Sequence, residues 1–218
     1  MDEMASAAGR IPLIGDKAPD FRAKTTDGWL TLSEYGRGSW VLLFSHPADF
    51  TPVCTTEMSG FARQKAEFDA LNTKLLGLSI DSVYAHLGWI QNVKERTGVQ
   101  FNFPIIADIN MHVSRLYGML HPGVASVATV RAVYFIDPNM TVRLIMYYPL
   151  NVGRSMHEIL RALKALQLTD AQEVSTPLDW EPGDAVCAHA PETLDGVNAR
   201  MENREDGLVD FYLLMRKG

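Results

Sequence analysis

Cys54 is the residue of this chain whose surroundings best suit covalent chemistry. It lies in residues 45–57, a stretch that also holds Pro47, Thr51 and Pro52. A thiol acts as a nucleophile in its thiolate form, and a thiol with an ordinary pKa of about 8.5 is only a few per cent ionised at pH 7. A reactive cysteine therefore needs neighbours that stabilise its negative charge.

The elements that flank Cys54 supply one such stabilising influence. The apolar run at residues 40–44 predicts a buried strand, the two prolines within residues 46–53 predict a loop, and apolar spacing over residues 55–71 predicts a helix. Cys54 would then lie in the first helical turn, beyond the carboxyl end of a strand, where α/β sheets bind ligands. The free N–H groups and the dipole of that turn favour a thiolate.

Two further groups complete a plausible reaction site. Thr51 lies about one helical turn before Cys54, and its hydroxyl is suited to orienting a small polar substrate. A fast enzyme also needs a group that stabilises charge in the transition state, such as an arginine brought in from another element. The residues alone do not choose among the arginines.

The remaining elements alternate between strands and helices. The pattern predicts strands at 74–80, 103–107, 131–136 and 142–148, and helices at 82–96, 110–117 and 155–166. With the strand and the helix around Cys54, the order is β-α-β-α-β-α-β-β-α. This order predicts an α/β fold with a mixed central sheet.

The last fifty or so residues differ from the rest in that turn-forming residues leave room only for short elements. Prolines and glycines punctuate the chain after Leu168, so only short elements fit before an apolar strand predicted at 208–215. We interpret residues 1–169 as the main domain and residues 170–218 as an arm. The arm is expected to dock on the core or on a second subunit.

Composition excludes several classes of protein. The chain has 218 residues, of which 47% are hydrophobic and 21% are charged, a globular balance that excludes a disordered chain. It has no apolar run long enough for a membrane span, and the acidic residues 1–9 do not resemble a secretory signal. The net charge of -6 argues against nucleic acid as a partner. A cytoplasmic location is expected.

The spacing around Cys54 resembles a known family. Pro47-x-x-x-Thr51-x-x-Cys54 matches the active-site motif of the peroxiredoxins, and a histidine before the proline, here His46, is similar to their one-cysteine subfamily. The resemblance extends over nearly the whole chain. Further matching stretches are 18–21, 78–82, 103–106, 148–149, 153–154 and 176–180, together with the long C-terminal arm.

This resemblance implies a role for each residue of the motif. Cys54 would be the peroxidatic cysteine, which attacks the terminal oxygen of a peroxide and becomes a sulfenic acid. Thr51 would hydrogen-bond the peroxide oxygens, and Pro47 would shield the sulfenic acid. Arg131 matches the active-site arginine of the family, which stabilises the thiolate and the charge on the oxygens.

The resemblance also implies supporting residues, a fold and partners. His46 would act in catalysis or in docking the reductant, and Glu57 and Arg154 would order the site from behind. The implied fold is thioredoxin-like, with an arm that forms a homodimer or, through dimers, a ring decamer. No metal and no bound cofactor are expected. The substrates would be hydrogen peroxide and small organic hydroperoxides, and an external thiol or a protein reductant would regenerate the enzyme.

Alternatives stay open at two points. Cys187, the second of two cysteines, is either inert or a resolving cysteine that attacks the sulfenic acid to form a disulfide. A redox sensor or holdase chaperone that uses Cys54 as a switch would carry the same motif. A disulfide reductase is disfavoured, because its Cys-x-x-Cys motif would need a cysteine where Glu57 stands.

Overall fold

The computed structural model of the chain describes residues 10–125 and 127–218, which fall into two compact units. The first unit ends at Arg154, and the second runs over Ser155–Gly218. This division lies earlier than the boundary expected after residue 169, which falls inside the helix Met156–Gln172. The interpretation of residues 170–218 as a dimerisation arm stays a prediction.

A seven-stranded mixed sheet forms the centre of the first unit. Its strands lie in the order β2-β1-β5-β4-β3-β6-β7. The three middle strands β5, β4 and β3 are parallel, whereas the others pair antiparallel, which confirms the predicted fold class. In chain order the strands are β1 (Arg22–Thr25), β2 (Gly28–Thr31), β3 (Trp40–Ser45), β4 (Thr73–Ser79), β5 (Ile105–Ala107), β6 (Arg131–Ile136) and β7 (Val142–Tyr148).

Strands β3 and β6 carry the most buried segments of this sheet. Every residue of both strands is buried, as their continuous apolar runs predict for strands covered on two faces. The two strands are antiparallel, with Phe44 opposite Val133. This register sets the carboxyl end of β3 beside Arg131, the first residue of β6.

The helices of the first unit are α1 (Leu32–Tyr35), α2 (Pro52–Arg63), α3 (Lys65–Ala70), α4 (Val83–Thr97) and α5 (His112–Leu116). The single helix predicted at 55–71 is wrong in two respects. It begins earlier, because proline is favoured at the first helical position, where its missing N–H costs nothing. It is also interrupted at Gln64, whose backbone leaves helical geometry at φ -93° and ψ 5°.

Helix α4 begins and ends where the sequence predicts. The Ser82 hydroxyl accepts a hydrogen bond from the Ala85 N–H at 3.2 Å, which caps the first turn. Gly98 ends the helix in the left-handed conformation, with φ of +74°, where a glycine carries no steric penalty. The buried face of α4 presents His86, Trp89 and Val93 to the interior.

The hairpin formed by β1 and β2 was not predicted. Each strand has only four residues, which is too short for a clear alternation of apolar and polar positions. The two turn residues are Thr26 and Asp27, and Gly28 follows them as the first residue of β2 with a φ of +104°, so the pair Asp27-Gly28 was a local turn signal.

The second unit contains α6 (Met156–Gln172), β8 (Val186–Cys187), α7 (Leu194–Glu202), β9 (Leu208–Asp210) and β10 (Leu213–Arg216). Its small core includes Ala165, Trp180 and Val186. The single strand predicted at 208–215 is wrong, because the chain turns at residues 211–212 and returns as the antiparallel partner β10. Among the described residues, no helix combines the length and the apolar character needed to cross a membrane.

Candidate active site

Cys54 lies in the first turn of α2, as the sequence predicts, and its side chain is fully buried. Thr51 is the N-cap residue and Pro52 begins the helix. The N–H groups of Val53 and Cys54 lie in the first turn, where no helical carbonyl stands four residues before them to accept a hydrogen bond. They are therefore available to bind an anion.

Arg131 brings a positive charge to this sulfur from the start of β6. Its Nη1 lies 3.3 Å from the Cys54 Sγ and 2.7 Å from Oε2 of Glu57. Its Nε and Nη2 donate to the Leu150 carbonyl at 3.1 Å and 2.6 Å. With nitrogen atoms held at both ends, the buried guanidinium has little freedom to turn away from the sulfur.

Glu57 joins Arg131 to a second arginine behind the site. Oε1 of Glu57 accepts from the backbone N–H and the Nε of Arg154 at 2.8 Å and 2.9 Å, and Oε2 accepts from Nη2 at 2.8 Å. Burial by itself would raise the pKa of Glu57, but the charge and hydrogen bonds of Arg154, with the charge of Arg131, outweigh burial and lower that pKa.

The charged side chains of this cluster do not balance among themselves. The two arginines carry two positive charges and Glu57 carries one negative charge, and all three side chains are at least nine-tenths buried. The cluster therefore presents one net positive charge beside the Cys54 sulfur, and such a buried charge is stabilised by an anion close to it.

Arg154 also ties the cluster to the two central strands. Its Nη1 donates to the carbonyls of Ser45 in β3 and Ala132 in β6, at 3.0 Å and 2.9 Å. The guanidinium lies over the rings of Phe44 and Phe61, at 5.6 Å and 5.5 Å from their centroids. The hydrogen bonds and the ring contacts hold Arg154 in place, and Arg154 in turn fixes the position of Glu57, one turn beyond Cys54.

The loop between β3 and α2 holds the two other motif residues. Pro47 and Thr51 are half-buried. The Thr51 hydroxyl donates to the Ala48 carbonyl at 2.8 Å. Because its hydrogen is engaged there, the hydroxyl oxygen has its lone pairs available to accept a hydrogen bond from a small ligand.

His46 is fully buried at the start of the same loop. Its Nε2 lies 2.8 Å from Oδ1 of Asp49, whereas its Nδ1 has no hydrogen-bond partner within residues 10–125 and 127–218. Burial lowers the pKa of His46, although the hydrogen bond to Asp49 acts in the opposite direction. The ring is therefore neutral at pH 7.

Asp49 and His86, which are not among the predicted site residues, extend this contact into the interior. Oδ2 of Asp49 lies 2.7 Å from Nδ1 of His86. Two histidines and a carboxylate also form a donor set that binds transition metals. Here one nitrogen of each histidine lies at hydrogen-bonding distance from a separate oxygen of Asp49, so the contacts are those of a hydrogen-bonded chain.

Cys187 lies in β8 of the second unit and is partly buried. Its Sγ is 3.5 Å from the Sδ of Met215, the residue paired with it in β10. Both cysteines of the chain are free thiols in this structure. Whether Cys187 is inert or resolving stays a prediction.

An open depression of about 380 Å³ borders the loop that carries Thr51. Phe50, Thr51 and Thr55 form one side, and Trp89 and Arg96 of α4 form the other. Its mixed apolar and polar lining provides room for a small organic molecule beside the site.

The structure thus brings Cys54, Arg131, Glu57 and Arg154 into one hydrogen-bonded cluster, and places Thr51, Pro47 and His46 in the adjoining loop. Sequence reasoning did not identify the Leu150 carbonyl that holds Arg131, because a backbone acceptor leaves no mark in residue types. The pair Asp49 and His86 carried a weak signal, in that Asp49 stands three residues after His46.

Comparison with known proteins identifies the family of this chain. The sequence model of the AhpC/TSA family matches residues 14–145. A peroxiredoxin of Methanosarcina mazei is 44% identical over 215 residues, which cover 95% of this chain and 98% of that protein. Peroxiredoxin 2 of Thermoplasma acidophilum is 50% identical over 200 residues, covering 92% of this chain and 98% of that protein.

Two solved structures extend the likeness to the fold. A yeast mitochondrial one-cysteine peroxiredoxin superposes with a TM-score of 0.83 at 41% identity, covering 95% of this chain and all of that one. A mutant of peroxiredoxin 6 of Arenicola marina gives a TM-score of 0.82 at 34% identity, covering 94% of this chain and 96% of that one. These neighbours confirm the predicted resemblance to the one-cysteine subfamily. The chain therefore belongs to the peroxiredoxins of the AhpC/TSA family, which are thiol-dependent peroxidases.

Proposed function

We propose that this peroxiredoxin reduces hydrogen peroxide and small organic hydroperoxides through a sulfenic acid on Cys54, and so serves antioxidant defence and redox homeostasis. The observation that carries the proposal is the distance of 3.3 Å between Arg131 Nη1 and Cys54 Sγ, at the first turn of a helix. Both features stabilise negative charge on a buried sulfur.

The reaction begins when the Cys54 thiolate attacks the terminal oxygen of the peroxide. The S–O bond forms as the O–O bond breaks, and the departing oxygen takes a proton and leaves as water or an alcohol. Arg131 and the free N–H groups of the first turn of α2 stabilise the negative charge that moves onto the oxygens. The Thr51 hydroxyl accepts the peroxide hydrogen, because its own hydrogen already bonds Ala48.

Pro47 and the loop around it limit what else reaches the sulfur. The Cys54 side chain has no exposed surface, and Pro47 lies half-buried in the loop that precedes it. In this proposal the loop admits a small peroxide and shields the sulfenic acid from further oxidation. The depression beside Thr51 accommodates the organic portion of a hydroperoxide.

A thiol reductant regenerates Cys54. The yeast mitochondrial relative is described with a thiol resolving mechanism that uses the glutathione and thioredoxin systems. By that likeness we assign this chain an external thiol or a thioredoxin-like protein as its reductant. The thiol attacks the sulfenic sulfur, water leaves, and a second thiol releases Cys54.

The test is steady-state consumption of hydrogen peroxide with a thiol donor in excess. The wild-type protein is expected to turn over many equivalents, and Cys54→Ser to turn over none. Cys187→Ser is the matched control, and it retains activity if an external thiol resolves the sulfenic acid. Consumption that stops after one equivalent would contradict the proposal and favour a redox sensor or holdase chaperone.

We also propose that the chain forms a homodimer through residues 170–218, or a ring decamer built from such dimers, and acts in the cytoplasm. The small core around Trp180 and Val186 supports the assembly role, because it gives this segment an ordered framework. Sedimentation equilibrium of the full-length protein tests it. A dimer or decamer mass is expected, and a monomer at micromolar concentration would contradict it.

A further inference from the structure

Three buried titratable side chains next to the site have no part in the proposed attack on peroxide. His46 and His86 have no exposed surface, and Asp49 is 8% exposed. They form a continuous chain in which the Asp49 carboxylate lies between the two rings. Ionisable side chains are rarely buried unless they are paired or take part in chemistry, so the hydrogen-bond partners of these three residues indicate what they can do.

The contacts of His86 hold the Asp49 carboxylate against the central sheet. Its Nε2 lies 3.1 Å from the carbonyl oxygen of Ile106 in β5. Its Nδ1 lies 2.7 Å from Oδ2 of Asp49. The ring of His86 therefore links Asp49 to the end of a buried strand and limits the movement of the carboxylate.

Asp49 in turn fixes the tautomer of His46. Burial alone would raise the pKa of Asp49, but its hydrogen bonds to His46 and His86 outweigh burial and lower that pKa, so the carboxylate is ionised. Oδ1 then accepts from His46 Nε2, which must carry the hydrogen of the neutral ring. The backbone N–H of Asp49 donates to Asp81 at 3.0 Å, which holds the carboxylate in place.

His46 Nδ1 is consequently a buried, unprotonated acceptor. It has no partner among the residues that the structure describes, and an unmet buried acceptor costs about 1–3 kcal/mol. The backbone of His46 is held at both ends, by the Leu78 carbonyl at 2.9 Å and the Thr129 hydroxyl at 2.8 Å. The ring therefore stays in the loop that joins β3 to the helix bearing Cys54.

We propose that His86 and Asp49 are positioning residues that make His46 the base for the incoming thiol, at the step in which that thiol attacks the sulfenic acid on Cys54. This inference rests on the proposed function, because it needs the sulfenic acid to form. The orphaned Nδ1 is the acceptor that this step requires, and a carboxylate behind the ring stabilises the imidazolium that forms, as in other histidine bases.

The step balances without a further reagent. A bond forms between the thiol sulfur and the Cys54 sulfur, and the S–O bond of the sulfenic acid breaks. The thiol proton moves to His46 Nδ1 and then to the departing hydroxyl, which leaves as water. The thiol sulfur is oxidised and the Cys54 sulfur is reduced, giving a mixed disulfide and a neutral His46.

The test follows this second half-reaction alone, in the full-length protein with Cys187→Ser as background. The protein is oxidised with one equivalent of hydrogen peroxide and then mixed with a thiol, and formation of the mixed disulfide is timed by quenching and intact mass. Two thiols are compared at pH 7. One is an aliphatic thiol of pKa about 8.5, and the other is the aromatic thiol thionitrobenzoate, which is already ionised.

Asp49→Asn and His46→Gln should each slow mixed-disulfide formation with the aliphatic thiol by up to about 30-fold, because such a thiol is only about 3% ionised at pH 7 without a base. Both variants should react with thionitrobenzoate at the wild-type rate, since that thiol brings no proton. The double variant should be no slower than His46→Gln, because Asp49 acts through His46.

The outcomes separate this inference from the proposed function. No oxygen on Cys54 after peroxide would contradict the proposed function before any thiol is added. If the variants lose the same factor in rate with both thiols, or if the double variant reacts more slowly than His46→Gln, the role of these residues is merely structural and the inference is overturned. Wild-type rates of mixed-disulfide formation with both thiols would also overturn it. Asp137→Asn, a buried aspartate at the β6–β7 hairpin, is the matched control and should leave both rates unchanged.

Discussion

Arg131 links the Cys54 sulfur to the buried charges behind it, and this contact is the most specific feature at the scale of single residues. Sequence reasoning placed Cys54 in a helical first turn from the prolines and the apolar run around it. The choice of Arg131 came from a family resemblance, because spacing along the chain does not show which distant strand faces a helix terminus. The structure brings Arg131 to the sulfur through strand register, which is a property of the fold.

Replacing Arg131 by lysine tests whether its geometry matters as well as its charge. Lysine keeps the positive charge but loses the planar fork that contacts Cys54, Glu57 and Leu150 together. We expect Arg131→Lys to slow the reaction of Cys54 with hydrogen peroxide by roughly 10²–10³-fold, the usual cost of a lost oxyanion donor. Stopped-flow measurement of peroxide consumption checks this, and a rate within threefold of wild type would contradict it.

Glu57 balances two buried arginines, so its loss should weaken the fold. Glu57→Gln leaves Arg131 and Arg154 without a carboxylate, and breaking a buried pair in this way costs about 3–5 kcal/mol of unfolding free energy. Urea denaturation measures the loss. Glu158→Gln is the matched control, because Glu158 pairs with Arg161 near the surface and should cost less than about 1 kcal/mol.

At the scale of elements, strands β3 and β6 position the site through their adjoining ends. The apolar runs predicted both strands to within a residue, because buried central strands leave a strong signal. The pattern did not show the start of α2 at Pro52 or the break at Gln64, since periodicity ignores local backbone geometry. It also missed the hairpin of β1 and β2, whose short strands depend on sheet contacts for their stability.

The Ser45 hydroxyl joins these two strand ends and provides a test. It donates to the Val130 carbonyl at 2.6 Å and accepts from the Ala132 N–H at 3.1 Å, on either side of Arg131. Ser45→Ala removes both bonds, so we expect a loss of about 1–3 kcal/mol in stability and a slower reaction with peroxide.

Ser39 is the matched control for this change, because it precedes the other end of β3 and bonds Asn72 at 3.0 Å. Ser39→Ala should reduce stability without slowing the reaction. Urea denaturation and peroxide kinetics on both variants measure the two effects. Equal kinetics for Ser45→Ala and wild type would show that this strand contact does not position Arg131.

At the scale of the whole molecule, the buried ionisable groups predict sensitivity to acid. Burial lowers the pKa of His46 below its ordinary 6.5, so on acidification the unfolded chain binds a proton that the folded chain does not. The pKa values of Glu57 and Asp49 are also lowered, so protonation of these carboxylates in the unfolded chain further reduces stability below about pH 4.5 and pH 3.8 respectively. The free energy of unfolding should therefore fall as pH drops below about 6.5, and fall again below 4.5.

Urea denaturation between pH 7.5 and 3 measures this dependence. His46→Gln should flatten the decline between about pH 6.5 and 5 while leaving the decline below pH 4.5, because Glu57 and Asp49 are still present. A decline in His46→Gln as steep as that of wild type between pH 6.5 and 5 would contradict the assignment of a buried neutral His46.

The sequence predicts a division after Leu168, because turn-forming residues at Pro177, Pro182 and Pro191 leave room only for short elements there. The contacts instead group α6 with the residues that follow it, because Ala165 packs with Trp180 and Val186. A helix predicted from its own periodicity carries no mark of which unit it joins, so the unit boundary was beyond sequence reasoning.

The central claim is that Cys54 is a peroxidatic cysteine, and the most direct test is intact mass after one equivalent of hydrogen peroxide. Wild type and Cys187→Ser should each gain one oxygen atom within seconds, and Cys54→Ser should gain none. Loss of two hydrogens that requires both cysteines would also place the reaction at Cys54, and would identify Cys187 as resolving. An unchanged mass in the wild type, or an oxygen gained by Cys54→Ser, would contradict the account.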